Sequence, residues 1–135
     1  MRVLLDTNIV LDGLLEREPF VRDAKALFQA IRSGQVEGYI TATTLTDIFY
    51  IARKAKGVAV ARQDVSDLLT LMQICTVDRR ILEAAISSLL PDFEDAVQLA
   101  CALNDNLDAI ITRDTQDFAD ASMQILSAGE LLQRL

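Results

Sequence analysis

The fold of this chain is indicated near its N-terminus by Val3-Leu4-Leu5-Asp6-Thr7-Asn8-Ile9-Val10, where three apolar residues run directly into an acidic one. A short apolar run that ends in a polar turn is typical of a buried strand. At the centre of a parallel sheet, such a strand places Asp6 at its carboxyl end, where ligands bind in open α/β sheets. A carboxylate there needs a hydrogen bond, a paired charge or a metal ion. Asp6 is therefore the first candidate functional residue.

The rest of the chain alternates extended and helical patterns. Further strands are predicted at residues 38–41, 74–77, 109–112 and 123–126, and helices near residues 8–15, 20–33, 44–56, 58–72, 78–89 and 92–106 and from Ser127. This alternation predicts an α/β fold, a three-layer α/β/α sandwich on a parallel central sheet of four to five strands. Right-handed crossovers bring the carboxyl ends of the strands to one edge. We expect a single domain over residues 1–135.

The composition excludes several kinds of site. The 135 residues include no histidine, so Ser-His-Asp triads and histidine zinc sites are excluded within this chain. The 20 acidic and 13 basic residues give a net charge of −7, which fits a nucleic-acid binder only if carboxylates surround cations and basic residues line the approach. Cys75 and Cys101 are predicted to be buried free thiols. With no long apolar run and no signal-peptide pattern, we expect no membrane span and a cytoplasmic location.

Four carboxylates are predicted near the ligand-binding edge of the sheet: Asp6, Asp47, Asp95 and Asp114. Each has a structural alternative, because each could cap a helix or close a turn; Asp47 and Asp95 stand three residues after Thr44 and Asp92, a capping-box spacing. Together they would repel one another, and a divalent cation would remove that penalty. An all-oxygen set without histidine suits Mg²⁺ or Mn²⁺ rather than Zn²⁺.

Three segments resemble the PIN domain, and in particular the small bacterial members that include the VapC-type toxins: Asp6-Thr7-Asn8, Asp92-Phe93-Glu94-Asp95-Ala96 and Thr112-Arg113-Asp114-Thr115-Gln116-Asp117-Phe118. The resemblance extends from Arg2 to about Leu132 and implies a Mg²⁺- or Mn²⁺-dependent endoribonuclease. It implies catalytic and metal-binding roles for Asp6, Asp47, Asp95 and Asp114, and supporting roles for Asn8, Thr112 and Asp117. The second acid of the family is usually Glu, and Asp47 is shorter by one methylene.

The resemblance also implies partners. An RNA substrate would cross the acidic surface, and Arg113, Arg53 and Lys54 are candidates to bind its phosphates, although cations also suit a helix C-terminus. Family members are often homodimers, and the toxins bind a small antitoxin along hydrophobic helices. Six apolar residues are either such a groove or simply core: Leu14, Leu15, Phe20, Ile48, Phe49 and Ile51.

Two other functions fit parts of the sequence. Leu5-Asp6-Thr7-Asn8 resembles the opening motif of haloacid dehalogenase-like phosphatases, in which Asp6 would be the nucleophile, but those enzymes have a second Asp where this chain has Asn8. The other alternative is a PIN-like module that binds RNA or protein without cleavage, an interpretation supported by Asp47 in place of Glu.

Overall fold

Five parallel strands form one sheet in the computed structural model, which describes residues 1–119 and 121–135. The strands are β1 (Arg2–Leu5), β2 (Glu37–Thr41), β3 (Gln73–Cys75), β4 (Ala109–Ile111) and β5 (Gln124–Leu126). Their order across the sheet is β3-β2-β1-β4-β5. The first strand of the chain therefore lies at the centre, as its uninterrupted apolar sequence predicts for a strand buried on both faces.

The strands are connected by helices and one short 3₁₀ turn at Thr115–Phe118. The helices are α1 (Thr7–Leu14), α2 (Val21–Arg32), α3 (Ala42–Lys56), α4 (Val58–Leu71), α5 (Arg79–Ile86), α6 (Phe93–Asn104) and α7 (Ala128–Leu132). The predicted α/β fold with a parallel sheet is confirmed.

The two faces of the sheet bury separate apolar clusters, because successive side chains of a strand point to opposite faces. Val3 and Leu5 pack with apolar residues from α1, α2, α3, α4 and α7. Leu4, between them, packs on the other face with residues from α5 and α6. The layers of the sandwich are therefore unequal, with most helices on one face.

The start of α3 differs from the prediction. The helix begins at Ala42 rather than Thr44, because Thr41 at the end of β2 is its N-cap and accepts a hydrogen bond from the Thr44 amide at 3.0 Å. Thr44 is therefore not a cap, and the capping box predicted for Thr44 and Asp47 is wrong. Asp47 lies in the second turn of the helix rather than the first.

Other boundaries shift by a few residues. β3 ends at Cys75 rather than Val77, and α5 ends at Ile86 rather than Leu89. The predicted capping box of Ser127 and Glu130 at the start of α7 is confirmed. Cys75 and Cys101 are buried free thiols, as predicted. Across residues 1–119 and 121–135, no helix combines the length and apolarity needed to cross a membrane.

Candidate functional site

A cleft of about 470 Å³ opens at the carboxyl edge of the sheet. The chain reaches it from β1, from the 3₁₀ turn after β4, and from α3 and α6, because the parallel crossovers bring these segments to one side. All four predicted acids line the cleft, together with Asn8 and Asp117. The sheet edge therefore brings together residues that are distant in sequence.

Asp6 is held by side chains from two other elements. It occupies the N-cap position of α1 but makes no side-chain capping hydrogen bond. Instead Gln98 Nε2 donates to Asp6 Oδ1 at 2.9 Å and Thr112 Oγ1 donates to Asp6 Oδ2 at 2.7 Å. Only 7% of Asp6 is exposed. The capping alternative therefore does not describe its side chain, which is oriented by α6 and by the end of β4.

Thr112 links Asp6 to Asp114. Its hydroxyl donates to Asp6 and accepts a hydrogen bond from the Asp114 backbone amide at 3.0 Å. Asn8 Nδ2 donates to Asp114 Oδ2 at 3.0 Å, so the first turn of α1 orients the acid that follows β4. Asp114 makes no side-chain capping bond to the 3₁₀ turn. Asn8 and Thr112 thus contact the acids that they were predicted to support.

Asp95 lies in the first turn of α6. Asp92 is the N-cap and accepts from the Asp95 amide at 2.9 Å, which is one of the two hydrogen bonds of the capping box suggested by the spacing of this pair. Burial raises the pKa of the Asp95 carboxyl to about 7, and neighbouring carboxylates, chiefly Asp92 and Asp6, add to this effect. Negative charge in the cleft is therefore poorly compensated by the protein itself.

Glu94 is a cleft residue that the sequence analysis did not single out. Its pKa is raised to about 7, and burial is the largest cause. A hydrogen bond with Asp47 and the charges of Asp47 and Asp6 are the next largest causes. Thr7 Oγ1 donates to Glu94 Oε1 at 3.4 Å. The sequence feature that could have identified Glu94 is its position beside Asp95 in the first turn of α6. A second carboxylate thus faces Asp47, where the family usually has the longer Glu.

Gln98 was also missed, although it stands three residues after Asp95 and so lies on the same side of α6. It is 1% exposed, and its Oε1 atom has no hydrogen-bond partner. Asn8 Oδ1 is likewise buried without a partner. Both residues line the cleft. Buried acceptors without donors are costly, and the water shell of a bound cation would supply the missing donors.

The donor set of the cleft fits a hard divalent cation. Its lining includes seven carboxylates: Asp6, Asp47, Asp92, Glu94, Asp95, Asp114 and Asp117. Arg17 is the one basic residue among the described residues of this lining. Carboxylate and amide oxygens are the ligands preferred by Mg²⁺ and Mn²⁺. Within residues 1–119 and 121–135, no group of three acidic or sulfur ligands is arranged to hold a metal ion by itself.

Arg113 points away from the acidic cleft. Its Nε atom lies 2.8 Å from Oδ2 of the buried Asp12, and its guanidinium lies 4.1 Å from the centroid of the Phe20 ring. Burial raises the pKa of Asp12, and Arg113 offsets only part of this effect. Arg113 lines a second cavity of about 220 Å³ with Asp12 and Phe20. This ion pair joins α1 to the segment that carries Asp114.

The basic end of α3 contains two kinds of cation. Lys56 is bound within the protein, with Nζ 2.8 Å from Asp64 Oδ2 and 3.0 Å from the Leu14 carbonyl oxygen. Arg53 and Lys54 are exposed and make no ion pair with any other residue in the described part of the chain. Their charges are therefore available to an anionic ligand.

The six apolar residues of the predicted groove do not form one surface. Ile48 is fully buried in the core, so it is not a groove residue, while Leu14 and Leu15 pack against that core. Ile51 lines the acidic cleft, and Phe20 lies under Arg113. A separate groove of about 720 Å³ runs between α2 and α4 and includes Leu14.

One protein-family model matches the chain over residues 2–116, and it is described as a PIN domain. The match includes all four predicted acids and ends just after Asp114. No curated protein is detected as a sequence match.

Solved structures of toxins and toxin–antitoxin complexes share the fold. A toxin–antitoxin complex from Klebsiella pneumoniae has 26% identity and a TM-score of 0.71, covering 93% of this chain and 97% of that chain. The VapC20 toxin of Mycobacterium tuberculosis, which cleaves the sarcin-ricin loop, has 15% identity and a TM-score of 0.71, covering 87% and 94%. FitAcB from Neisseria gonorrhoeae has 20% identity and a TM-score of 0.69, covering 94% and 98%.

Proposed function

Because this chain belongs to the PIN domain family, we propose that it is a Mg²⁺- or Mn²⁺-dependent endoribonuclease and the toxin of a toxin–antitoxin pair. The observation that carries the proposal is the convergence of Asp6, Asp95 and Asp114 on one cleft from β1, α6 and the end of β4. The similar solved structures support the toxin role by their fold, and the RNA substrate is inferred from the family resemblance.

The proposed cation ligands are Asp6, Asp95 and Asp114, with Asp47 assisting from α3. A divalent cation held by these carboxylates would supply Lewis-acid chemistry, lowering the pKa of a water molecule and offsetting charge on the phosphate oxygens. Gln98 and Thr112 hold the Asp6 carboxylate in place, and Asn8 holds Asp114. Asp117 also lines the cleft, and we propose it as an outer ligand. The resulting reaction is hydrolysis of a phosphodiester bond.

The test is cleavage of RNA by the purified chain in Mg²⁺, in Mn²⁺ and in EDTA. We expect cleavage with either cation and none in EDTA. Asp6→Asn removes the charge at the centre of the cleft while preserving shape, and it should reduce the cleavage rate at least 100-fold. Asp67→Asn, which removes one charge from α4, is the matched control and should cleave like the unaltered protein. Cleavage that survives both EDTA and Asp6→Asn would refute the proposal.

The partners are proposed on the same basis. The groove between α2 and α4 is lined by apolar residues and by Arg32, Asp67 and Thr70, and its size suits an amphipathic helix of a small antitoxin. A homodimer is proposed from the family resemblance alone. Co-expression with the product of a small neighbouring gene, followed by sedimentation of the purified species, tests both partners.

A non-catalytic binding module is the second candidate. It is favoured by Asp47 in place of Glu and by the absence of preformed three-ligand geometry in residues 1–119 and 121–135. RNA binding without Mn²⁺ binding, measured by calorimetry, would support it. The phosphatase alternative requires Asp6 as nucleophile and a second Asp two residues later, where this chain has Asn8. Trapping of a phosphorylated Asp6 would revive that alternative.

A further inference from the structure

An exposed aromatic ring lies beside the acidic cleft. Tyr50 is on α3 between Asp47 and Ile51, which both line the cleft. Its side chain is 61% exposed, compared with 39% for Phe20 and 48% for Phe93. A helical turn of 3.6 residues places Tyr50 about 60° around the helix from Asp47, on the solvent flank of the cleft. The ring is therefore accessible to a ligand bound at the acids.

Two contacts restrict this ring, and Tyr50 nevertheless stays 61% exposed. Phe49 meets Tyr50 edge to face, with ring centroids 5.2 Å apart and planes at 82°. The Arg53 guanidinium carbon lies 5.5 Å from the centroid of the Tyr50 ring. Such contacts restrict the ring while most of its surface stays in water. Tyr50 is thus a flat apolar surface with a defined orientation.

The charge along α3 changes from acidic to basic past Tyr50. Asp47 lies at the cleft, and Arg53 and Lys54 follow on the C-terminal side. Lys54 stands seven residues after Asp47, which is two helical turns and nearly the same face. Lys56, by contrast, is occupied by Asp64 and Leu14. A polyanion leaving the cleft along α3 would meet the aromatic ring and then two available cations.

We infer that Tyr50 is a stacking platform for one nucleobase of a single-stranded RNA, and that Arg53 and Lys54 bind the phosphates next to that base. The inference rests on the proposed ribonuclease function. Unpaired bases stack on aromatic side chains, whereas the faces of paired bases are covered by their neighbours in the duplex. Stacking on Tyr50 therefore requires that the base at this position be unpaired.

The first test compares cleavage of a single-stranded oligoribonucleotide by variants at Tyr50. Tyr50→Ala should raise KM about 5- to 100-fold, the range for loss of one stacked base, with kcat within threefold. Tyr50→Phe keeps the ring and should stay within twofold of the unaltered protein in KM. Leu69→Ala on α4 removes another exposed apolar side chain, 54% exposed, and is the matched control. An unchanged KM for Tyr50→Ala, or an equal loss for Tyr50→Phe, would overturn the inference.

The second test examines the base and does not depend on cleavage. Oligoribonucleotides carrying one 2-aminopurine at successive positions are titrated with the Asp6→Asn variant in Mg²⁺, so that the RNA stays intact, and cleavage is measured separately with the unaltered protein. Fluorescence should be quenched at one position, and Tyr50→Ala should abolish that quenching. Cleavage without quenching leaves the nuclease proposal standing and overturns the stacking platform. Quenching without cleavage supports the stacking platform and overturns the nuclease proposal. If neither quenching nor cleavage is observed, both proposals are overturned.

The third test separates RNA from a protein partner on the same surface. Arg53→Gln should raise KM and reduce the slope of log KM against log salt by about 1, as for loss of one phosphate contact. Arg79→Gln, on the distant α5, should leave the slope unchanged. If Tyr50→Ala changes the sedimentation of the protein but not its RNA kinetics, the surface is a protein interface and the inference is wrong.

Discussion

At Asp6, the sequence alone leaves three roles open: helix cap, metal ligand and nucleophile. The side chain makes no capping bond and instead accepts from Gln98 and Thr112, which are 92 and 106 residues away in the chain. These contacts orient both oxygens of one carboxylate toward fixed donors. Free lone pairs remain on each oxygen for a cation. The geometry thus supports the ligand role that we propose.

The raised pKa values of Glu94 and Asp95, both about 7, predict how stability depends on pH. In the metal-free protein, these carboxyl groups are still protonated in the folded state at pH values where they have already lost their protons in the unfolded chain. Their stabilisation is therefore complete below about pH 4, the pKa of the unfolded groups, and is lost as the pH rises through 7. In EDTA, we expect Glu94→Gln with Asp95→Asn to flatten the fall in Tm between pH 5 and pH 8.

The control for this prediction is Asp67→Asn, which should retain the slope of the unaltered protein. Mg²⁺ should raise Tm more at pH 8 than at pH 5.5, because protons compete with the cation for the same carboxylates. Thermal unfolding followed by circular dichroism measures both effects. Equal slopes for the double variant and the unaltered protein would contradict the prediction.

The Asp12–Arg113 pair predicts an asymmetry between two substitutions. Asp12 is fully buried, whereas the Arg113 side chain is 30% exposed. Arg113→Gln leaves a buried carboxylate without its partner and should lower the free energy of unfolding by about 2–4 kcal/mol at pH 7. Asp12→Asn leaves a cation that reaches water and should cost less. Urea unfolding measures both, and the reverse order would show that the ion pair is not what stabilises this segment.

A matched control for the buried pair is available on the surface. Arg79 and Glu83 form an exposed pair on α5 at 3.4 Å. Arg79→Gln should change the free energy of unfolding by no more than about 0.5 kcal/mol. The role of Arg113 was difficult to predict from sequence. Its neighbour Asp114 lines the cleft, whereas its ion-pair partner Asp12 lies on α1.

At the scale of elements, α1 and α2 pack closely at a glycine. A Cβ at Gly13 would lie 2.3 Å from Cε2 of the Phe28 ring, a distance that neither backbone nor ring can accept without moving. In an exposed helix, Gly→Ala stabilises by about 0.5–1 kcal/mol. Here Gly13→Ala should instead destabilise by about 1–3 kcal/mol, because the Phe28 ring must leave its position against α1.

Chemical denaturation measures the effect of Gly13→Ala, and Phe28→Leu provides the matched background. In Phe28→Leu the ring is gone, so adding Gly13→Ala should cost less than it does in the unaltered protein. A stabilising Gly13→Ala, or an equal cost in both backgrounds, would mean that the contact with Phe28 does not set the spacing of α1 and α2.

At the scale of the whole molecule, the two thiols report on global unfolding. Cys75 and Cys101 are both buried in the cluster on the α5 and α6 face of the sheet. Burial raises the pKa of Cys101 to about 12 and that of Cys75 still further. Since the thiolate is the reactive form, neither should react with a disulfide reagent at pH 8 until the protein unfolds.

The thiol prediction is measured with Cys75→Ala and Cys101→Ala, each of which leaves one thiol. Both should be labelled at the same rate as the protein unfolds in urea, because the cluster that covers them is one packed unit. Rapid labelling of either thiol in native buffer would show that this face of the sheet opens locally.

Most of the fold follows from local patterns. The periodicity of apolar residues predicts every strand and helix, because each pattern depends on residues within a few positions. The start of α3 was predicted two residues late, since Thr41 serves both as the end of β2 and as the cap of the helix. Asp6, Asp47, Asp95 and Asp114 were placed at one edge by the same reasoning, and all four line the cleft.

The local order of the sequence predicts the parallel sheet and the acids at its edge, and the sequence has no histidine, so it predicts an all-oxygen metal site without coordinates. The choice of partners is different, because it depends on which elements pack together. Tertiary packing pairs Asp6 with Gln98 and Arg113 with Asp12. The stretch from Val3 to Val10 therefore predicts where a ligand would bind, whereas packing against α6 and β4 fixes how Asp6 is held there.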